Sequence, residues 1–151
     1  MKATQAESDA LSVAEAEAFC RSRGARFTPM RREVYALMLS QSTARSAYDL
    51  LDGMQQRLGR RLAPPTVYRA LEFLLAQGLI HRLETTHSYL PCAHPGAAHQ
   101  GLYLVCTDCG TTEELEDETV NGLLRDRARA SGFAPQRQVV ELQGTCARCR
   151  H

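Results

Sequence analysis

The sequence has little of what marks several large classes of protein. Over its 151 residues no apolar run approaches the roughly 18–20 residues that a membrane span needs, and no compositional bias or internal repeat indicates disorder, collagen or low complexity. Residues 1–10 are polar and acidic and lack the apolar segment of a secretory signal. We therefore expect a globular protein of the cytoplasm with no membrane partner. In that reducing compartment six cysteines are typical of metal ligands or reactive thiols and not of disulfides.

The overall charge is also small, but its distribution is uneven. The formal net charge of +1 at pH 7 excludes nothing about the partners of the chain. Residues 21–69, however, hold 10 arginines against three acidic residues, a local balance of +7. Such a stretch can follow the phosphates of a nucleic acid, with an attraction that falls with added salt. A solvated arginine-rich face explains the same counts equally well, so charge alone leaves both interpretations open.

Residues 12–91 carry the helix and strand signals of a winged helix-turn-helix. Capping residues and prolines predict four helix starts, at Ser12, Thr28, Ser46 and Pro64. Two short strands are predicted after the fourth helix, over 79–84 and 88–91, with a turn between them. Several short helices followed by a hairpin are the pattern of that fold.

A second, smaller unit is predicted beyond the Gly- and Pro-rich break at residues 92–101. Its expected elements are strands near 102–105, 111–115 and 136–142 and a helix over 118–131. The apolar stripe of that helix is expected to face inward and consists of Val120, Leu123, Leu124 and Ala128. The predicted fold class is α+β, with a winged-helix domain over 1–91, a hinge over 92–101 and a small α/β domain over 102–151.

The strongest local signal is a pair of CxxC motifs, Cys106 with Cys109 and Cys146 with Cys149, separated by 36 residues. Zinc prefers four tetrahedral ligands, and thiolates are typical of closed structural sites. A redox dithiol is the competing interpretation, but two such motifs in one small domain favour metal. The motifs therefore predict a structural zinc that joins the start and the end of the C-terminal unit. Sites of this kind contribute on the order of 10 kcal/mol or more to folding.

The two remaining cysteines differ in their surroundings. Cys20 lies among apolar residues of the first predicted helix, where a free cysteine is usually a small hydrophobic side chain. Cys92 lies in the boundary segment, near residues that zinc also accepts: His81, His87, His94, His99, Glu113 and Glu114. Surface histidines and a solvated acidic run explain the same residues. From spacing alone, a second metal site and an ordinary surface therefore remain alternatives.

The fourth predicted helix has two faces. Tyr68 and Arg69 project away from its apolar stripe, and an arginine there can donate two hydrogen bonds to a guanine edge or bind phosphate. A polar outer face is otherwise ordinary for a helix of any globular protein. The DNA-binding interpretation depends on the position of this helix as the second of a helix-turn-helix, just before a hairpin.

These residues together resemble the ferric uptake regulator family, and within it the zinc uptake regulators. The resemblance extends from about Phe19 to Cys149. The matching segments are RFTPMRREVYALM at 26–38, SAYDLL at 46–51, PPTVYRALEFLLAQGLIHRLE at 64–84, SYLPC at 88–92, the run from His99 to Gly110, and the closing pair Cys146 and Cys149.

The resemblance implies a repressor of metal-uptake genes that binds AT-rich palindromes in double-stranded DNA as a homodimer. It implies two zinc ions per subunit: a structural ion held by the two CxxC pairs, and a regulatory ion held by His81, Cys92, His99 and Glu114. It also places Tyr68 and Arg69 at base-contacting positions of the recognition helix. The regulatory ligands then join the two domains across the hinge and favour the arrangement that binds DNA.

Three alternatives differ in their chemistry. Iron- and peroxide-sensing members of the family usually carry a His-His-x-His cluster before the first cysteine pair, whereas AAHQGLYLVC here holds one histidine, and the thiolate of Cys92 suits zinc better than ferrous iron. A zinc hydrolase with Glu113 or Glu114 as general base needs an open coordination position, which four protein ligands do not leave. A thiol redox protein would use the CxxC pairs themselves. We therefore expect a zinc-responsive regulator and not an enzyme.

Overall fold

The computed structural model describes residues 10–41, 43–96 and 100–150, and its first four helices begin where capping residues and prolines predict them. They are α1 (Val13–Ser22), α2 (Pro29–Leu39), α3 (Ala47–Leu58) and α4 (Pro64–Ala76). The hydroxyls of Ser12, Thr28 and Ser46 each accept a hydrogen bond from the backbone N–H three residues later, at 3.2, 3.4 and 3.1 Å. Such bonds satisfy N–H groups that have no partner inside the helix. The predicted helix starts are confirmed.

A three-stranded antiparallel sheet accompanies these helices. Its strands are β1 (Arg45–Ser46), β2 (Ile80–Leu83) and β3 (Ser88–Pro91), in the order β1-β3-β2. The predicted hairpin is β2 with β3, paired so that His81 lies opposite Leu90 and Leu83 opposite Ser88. The sequence does not predict strand β1, because it has two residues, the second of which is the cap of α3, and two residues carry no alternation of apolar and polar side chains.

The core of this first unit, which spans residues 1–96, lies between α1–α4 and the sheet. Its largest fully buried side chains come from several elements and include Tyr35, Met54, Leu71, Leu74 and Ile80. The inner faces of α3 and α4 are therefore packed into the core, while their other faces lie at the surface. No helix among the described residues is long and apolar enough to cross a bilayer.

The second unit, residues 97–151, is built on β4 (Gln100–Cys106), β5 (Thr112–Glu114), α5 (Glu118–Ala130) and β6 (Gln138–Gly144). Its sheet has the order β5-β4-β6, with β5 antiparallel and β6 parallel to β4. A parallel pair needs a crossover connection, and α5 lies in that connection. The expected α+β fold class is confirmed.

The inward orientation predicted for the apolar stripe of α5 is wrong. Val120, Leu123 and Leu124 are 38%, 57% and 42% exposed, and the one buried residue of this helix is Asn121, whose side-chain oxygen accepts a hydrogen bond from Gln138 at 2.8 Å. Apolar periodicity shows that a helix has an apolar face, but it does not show which surface covers that face. Within this chain the stripe is left at the surface.

Candidate metal centre and nucleic-acid interface

The four cysteines of the CxxC motifs meet at one end of the second sheet. Cys106 ends β4 and lies opposite Gly144, which ends β6, because these strands run in parallel. Cys109 follows in the turn after β4, and Cys146 and Cys149 follow β6. All four sulfur atoms lie within 4.8 Å of one another. Parallel pairing thus brings together two motifs that are 36 residues apart in the chain.

The dimensions of this cluster fit zinc. Four thiolates at the usual Zn–S distance of about 2.3 Å form a tetrahedron with sulfurs about 3.8 Å apart. The Sγ atoms of Cys109 and Cys146 are 3.8 Å apart. Gly110, directly after the second cysteine of the first motif, has φ +73°, which allows the tight turn that a side chain resists. The described residues of this cluster offer four protein ligands and so could hold a closed zinc site.

Hydrogen bonds within the cluster shift the pKa values of Cys106, Cys109 and Cys149 in different directions. Backbone N–H groups, that of Cys146 first, lower the pKa of Cys106, and the hydroxyl and backbone of Thr111 lower the pKa of Cys109 to about 6. Hydrogen bonds to the sulfurs of Cys146 and Cys109 raise the pKa of Cys149 to about 12. Cys106 and Cys109 therefore favour the thiolate form, whereas Cys149 favours the protonated thiol. A metal that binds all four releases that proton.

Two of the residues predicted as regulatory ligands lie close together on the hairpin of the first unit. His81 is opposite Leu90, and the backbone N–H of Cys92 donates to the carbonyl of Leu79 at 2.9 Å, so the pairing continues by one residue beyond the strands. In an antiparallel pair, a residue and the second neighbour of its partner share a face and stand about 7–8 Å apart. His81 and Cys92 are such a diagonal pair.

Cys92 is buried near residues of the helical core. Cys92 and Cys20 are both fully buried, and both lie near the phenol of Tyr35, whose pKa is raised by burial first and then by Cys92, Glu15 and Cys20. The Tyr35 hydroxyl donates to the carbonyl of Leu11 at 2.7 Å. Burial raises the pKa of Cys20, as is usual for a thiol that acts as a small apolar side chain.

The other two predicted ligands are placed differently. Glu114 ends β5 in the second unit, opposite Tyr103, and is half-buried. His99 lies outside the described residues. Of the four predicted regulatory ligands, the described structure thus brings together His81 and Cys92.

The two residues predicted to contact DNA lie on the surface of α4. Tyr68 is 50% exposed and Arg69 is exposed, while Val67, Ala70 and Leu71 of the same helix are buried. The helix therefore presents Tyr68 and Arg69 outward from a fixed inner face. This is the geometry that a recognition helix needs to enter a major groove.

One further exposed aromatic side chain did not emerge from the sequence pattern. Tyr48, in the first turn of α3, is 77% exposed. It lies off the apolar stripe of that helix, so an analysis of periodicity treats it as an ordinary outward residue. A single exposed aromatic side chain is ordinary on a protein surface, so its exposure assigns Tyr48 no role.

Comparison with known proteins relates the chain to a family of regulators. The sequence model of the ferric uptake regulator family matches residues 22–143. The zinc uptake regulation protein of Escherichia coli (strain K12) is 42% identical over 138 residues, which cover 91% of this chain and 80% of that protein.

Solved structures agree in fold. A zinc uptake regulator complexed with zinc and DNA is 42% identical, with a TM-score of 0.84 over 91% of each chain. The holo form of XcZur is 43% identical, with a TM-score of 0.81 over 91% of this chain and 95% of that one; its apo form scores 0.52 over 91% and 94%. The family match, the identity to these relatives and the shared fold lead to one conclusion: the chain belongs to the ferric uptake regulator family.

Proposed function

We propose that this protein is a zinc-responsive transcriptional regulator that represses zinc-uptake genes when zinc is available. The observation that carries the proposal is the similarity of fold and sequence to a zinc uptake regulator solved with both zinc and DNA. The family consists of regulators and not of enzymes, and its zinc-uptake members are the relatives described above. The cysteine cluster and the exposed helix α4 supply the matching chemistry, namely zinc ligands and a surface for DNA. We place the protein in the cytoplasm, together with the DNA that it binds.

The DNA contact is proposed for α4. Arg69 has the geometry to pair with a guanine edge, and Tyr68 can place its ring against a thymine methyl and its hydroxyl on a phosphate. Both side chains are exposed on a helix whose opposite face is packed into the core, so little backbone freedom is lost when they bind. The proposed operator is an AT-rich palindrome in double-stranded DNA.

We propose two zinc ions per subunit with different roles. Cys106, Cys109, Cys146 and Cys149 form the structural site, because their sulfurs already converge within one unit. His81, Cys92, His99 and Glu114 form the regulatory site. The pair His81 and Cys92 on one hairpin face supports this assignment, since thiolate and imidazole from one rigid element meet the preference of zinc for soft and nitrogen ligands.

The proposed response follows from where the regulatory ligands lie in the chain. His81 and Cys92 belong to the first unit, whereas Glu114 belongs to the second. When bound, zinc supplies a crosslink between side chains of the two units. That crosslink selects one arrangement of the units, and thermodynamic linkage then requires DNA to tighten zinc binding by the same factor, typically 1–3 kcal/mol.

A homodimer is proposed through exposed apolar side chains of the second unit. Leu123 and Leu124 of α5 lie at the surface together with Phe133, Val139 and Leu142, of which Phe133 is 65% and Leu142 55% exposed. Apolar side chains of this size in one unit of about 50 residues are typical of an interface between subunits. Two copies of α4 can then read two half-sites about one helical repeat apart.

The test is DNA binding as a function of buffered free zinc. We expect the fluorescence anisotropy of a labelled AT-rich palindrome to rise sharply with zinc, after the tightly held structural zinc is filled, and not to rise with ferrous iron. Binding that follows iron and ignores zinc would move the protein to the iron-sensing alternative. No sequence-specific binding with either metal would overturn the proposed function.

A further inference from the structure

The structure separates the ten arginines of residues 21–69 into two groups. Three of them form ion pairs: Arg21 and Arg32 with Glu17, and Arg57 with Glu33 at 3.0 Å. Two others lie over aromatic rings, Arg23 at 5.0 Å from the ring centre of Phe19 and Arg31 at 3.7 Å from that of Phe73, and Arg45 donates to Gln41. Each side chain of this group thus has a partner within the protein.

The second group consists of Arg26, Arg60, Arg61 and Arg69. Among the described residues, their side chains make no ion pair, hydrogen bond or ring contact. Arg60 and Arg61 are adjacent, both are exposed, and they lie in the turn that joins α3 to α4. Arg69 follows on the outer face of α4.

The turn that carries Arg60 and Arg61 is fixed on both sides. Gly59, with φ +64°, ends α3, and the backbone N–H of Leu62 donates to the side-chain oxygen of Gln55 at 3.0 Å. Leu62 itself is partly buried against the core. The two arginines are therefore presented from an anchored backbone at the rim of a surface groove of about 530 Å³, which is also lined by Gln55, Gln56 and Gly59.

We propose that Arg60 and Arg61 bind phosphates of the DNA backbone beside the base pairs read by α4. The inference rests on the proposed function and adds to it a contact that sets affinity without reading sequence. Because these two guanidinium groups have no side-chain partner among the described residues, they break no ion pair or hydrogen bond within the protein when they bind phosphate. Arginine binds phosphate with a planar fork of donors. The turn between the helices of a helix-turn-helix lies directly before the recognition helix, where the duplex backbone passes.

The test measures DNA affinity of the zinc-loaded, full-length protein against salt concentration. Each phosphate contact contributes about 0.9 to the slope of log K against log salt, so the variant R60Q/R61Q, with four contacts fewer per dimer, is expected to lower that slope by about 3 to 4. Its preference for the AT-rich palindrome over a scrambled duplex is expected to stay unchanged. Both positions are exposed, so folding should be unaffected, as thermal melting followed by circular dichroism will show.

The matched control is R21Q/R32Q. It also removes two positive charges from the first unit, but at arginines that already pair with Glu17. If the effect of Arg60 and Arg61 is a general field and not a contact, both double variants will lower the slope equally, and the inference is overturned. An unchanged slope in R60Q/R61Q overturns it as well. Absence of zinc-dependent binding by the unaltered protein is a different result, because it refutes the proposed function and not this contact.

Discussion

Replacement of Cys109 by serine is expected to unfold the second unit while the first unit stays folded. Cys109 is exposed, so the substitution leaves no cavity and removes one predicted metal ligand. Besides the predicted ligand Cys106, the described residues of this unit bury three apolar side chains, Leu102, Tyr103 and Val105. At about 1.5–3 kcal/mol each, such a core contributes about 4.5–9 kcal/mol before the entropy cost of ordering the chain.

The proposed structural zinc is expected to stabilise the second unit by at least as much as that core. Zinc sites in small modules contribute apparent free energies of about 10–16 kcal/mol at neutral pH. A unit of about 50 residues with three buried apolar side chains has no other contribution of that size to its free energy of unfolding. We therefore expect loss of one ligand to remove most of its stability. The first unit has its own, larger core and is expected to be insensitive to the change.

Hydrogen exchange measured by mass spectrometry checks this expectation segment by segment. In C109S, amides of β4, β6 and α5 should exchange at the rate of an unfolded chain, amides of α2 and α4 should keep their protection, and zinc content should fall by one ion per subunit. The control D108N changes an exposed residue of the same turn and should keep both metal and protection. Full protection of β4 and β6 in C109S, with one zinc lost, would refute the structural role of this site.

Three further changes test other parts of the proposal. C92S should keep its fold and one zinc but lose zinc-dependent DNA binding, whereas C20A, at another buried cysteine, should keep that response. Zinc dependence in C92S equal to that of the unaltered protein would contradict the regulatory assignment. If the protein is the proposed dimer, L123D should be a monomer in light scattering after gel filtration while D126N stays dimeric, and a dimeric L123D would exclude α5 from the interface. Y35F loses the hydrogen bond to Leu11 and should lower the free energy of unfolding by about 1 kcal/mol in a chemical denaturation, so an unchanged value would show that this bond contributes nothing.

The helices of the first unit could be predicted because their signals are local. Ser12, Thr28 and Ser46 each act on a backbone N–H three residues later, and proline at the start of α2 and α4 has its fixed φ where a helix begins. The hairpin was predictable for the same reason, since its strands and turn are contiguous. Strand β1 was not, because it exists through its pairing with β3, which lies more than 40 residues later.

For the candidate sites, too, the ligand types could be predicted from short motifs, whereas their meeting depends on strands that are distant in the sequence. The motif CxxC indicates by itself that two sulfurs can turn toward one ion. Whether two motifs share that ion depends on the parallel pairing of β4 with β6, which places Cys106 opposite Gly144. Likewise, His81 and Cys92 are 11 positions apart in the sequence, and the register of the hairpin makes them diagonal neighbours.

The sequence by itself determined the types of chemistry: which residues can bind zinc, which helix carries outward Tyr68 and Arg69, and that α5 has an apolar stripe. The tertiary structure decided where that chemistry is available. It engaged six of the ten arginines of residues 21–69 internally and left Arg60 and Arg61 at the surface, and it left Leu123 and Leu124 uncovered. The physical reason is that caps, turns and periodicity act within a few residues, whereas burial, pairing and exposure depend on segments that meet only in the folded chain.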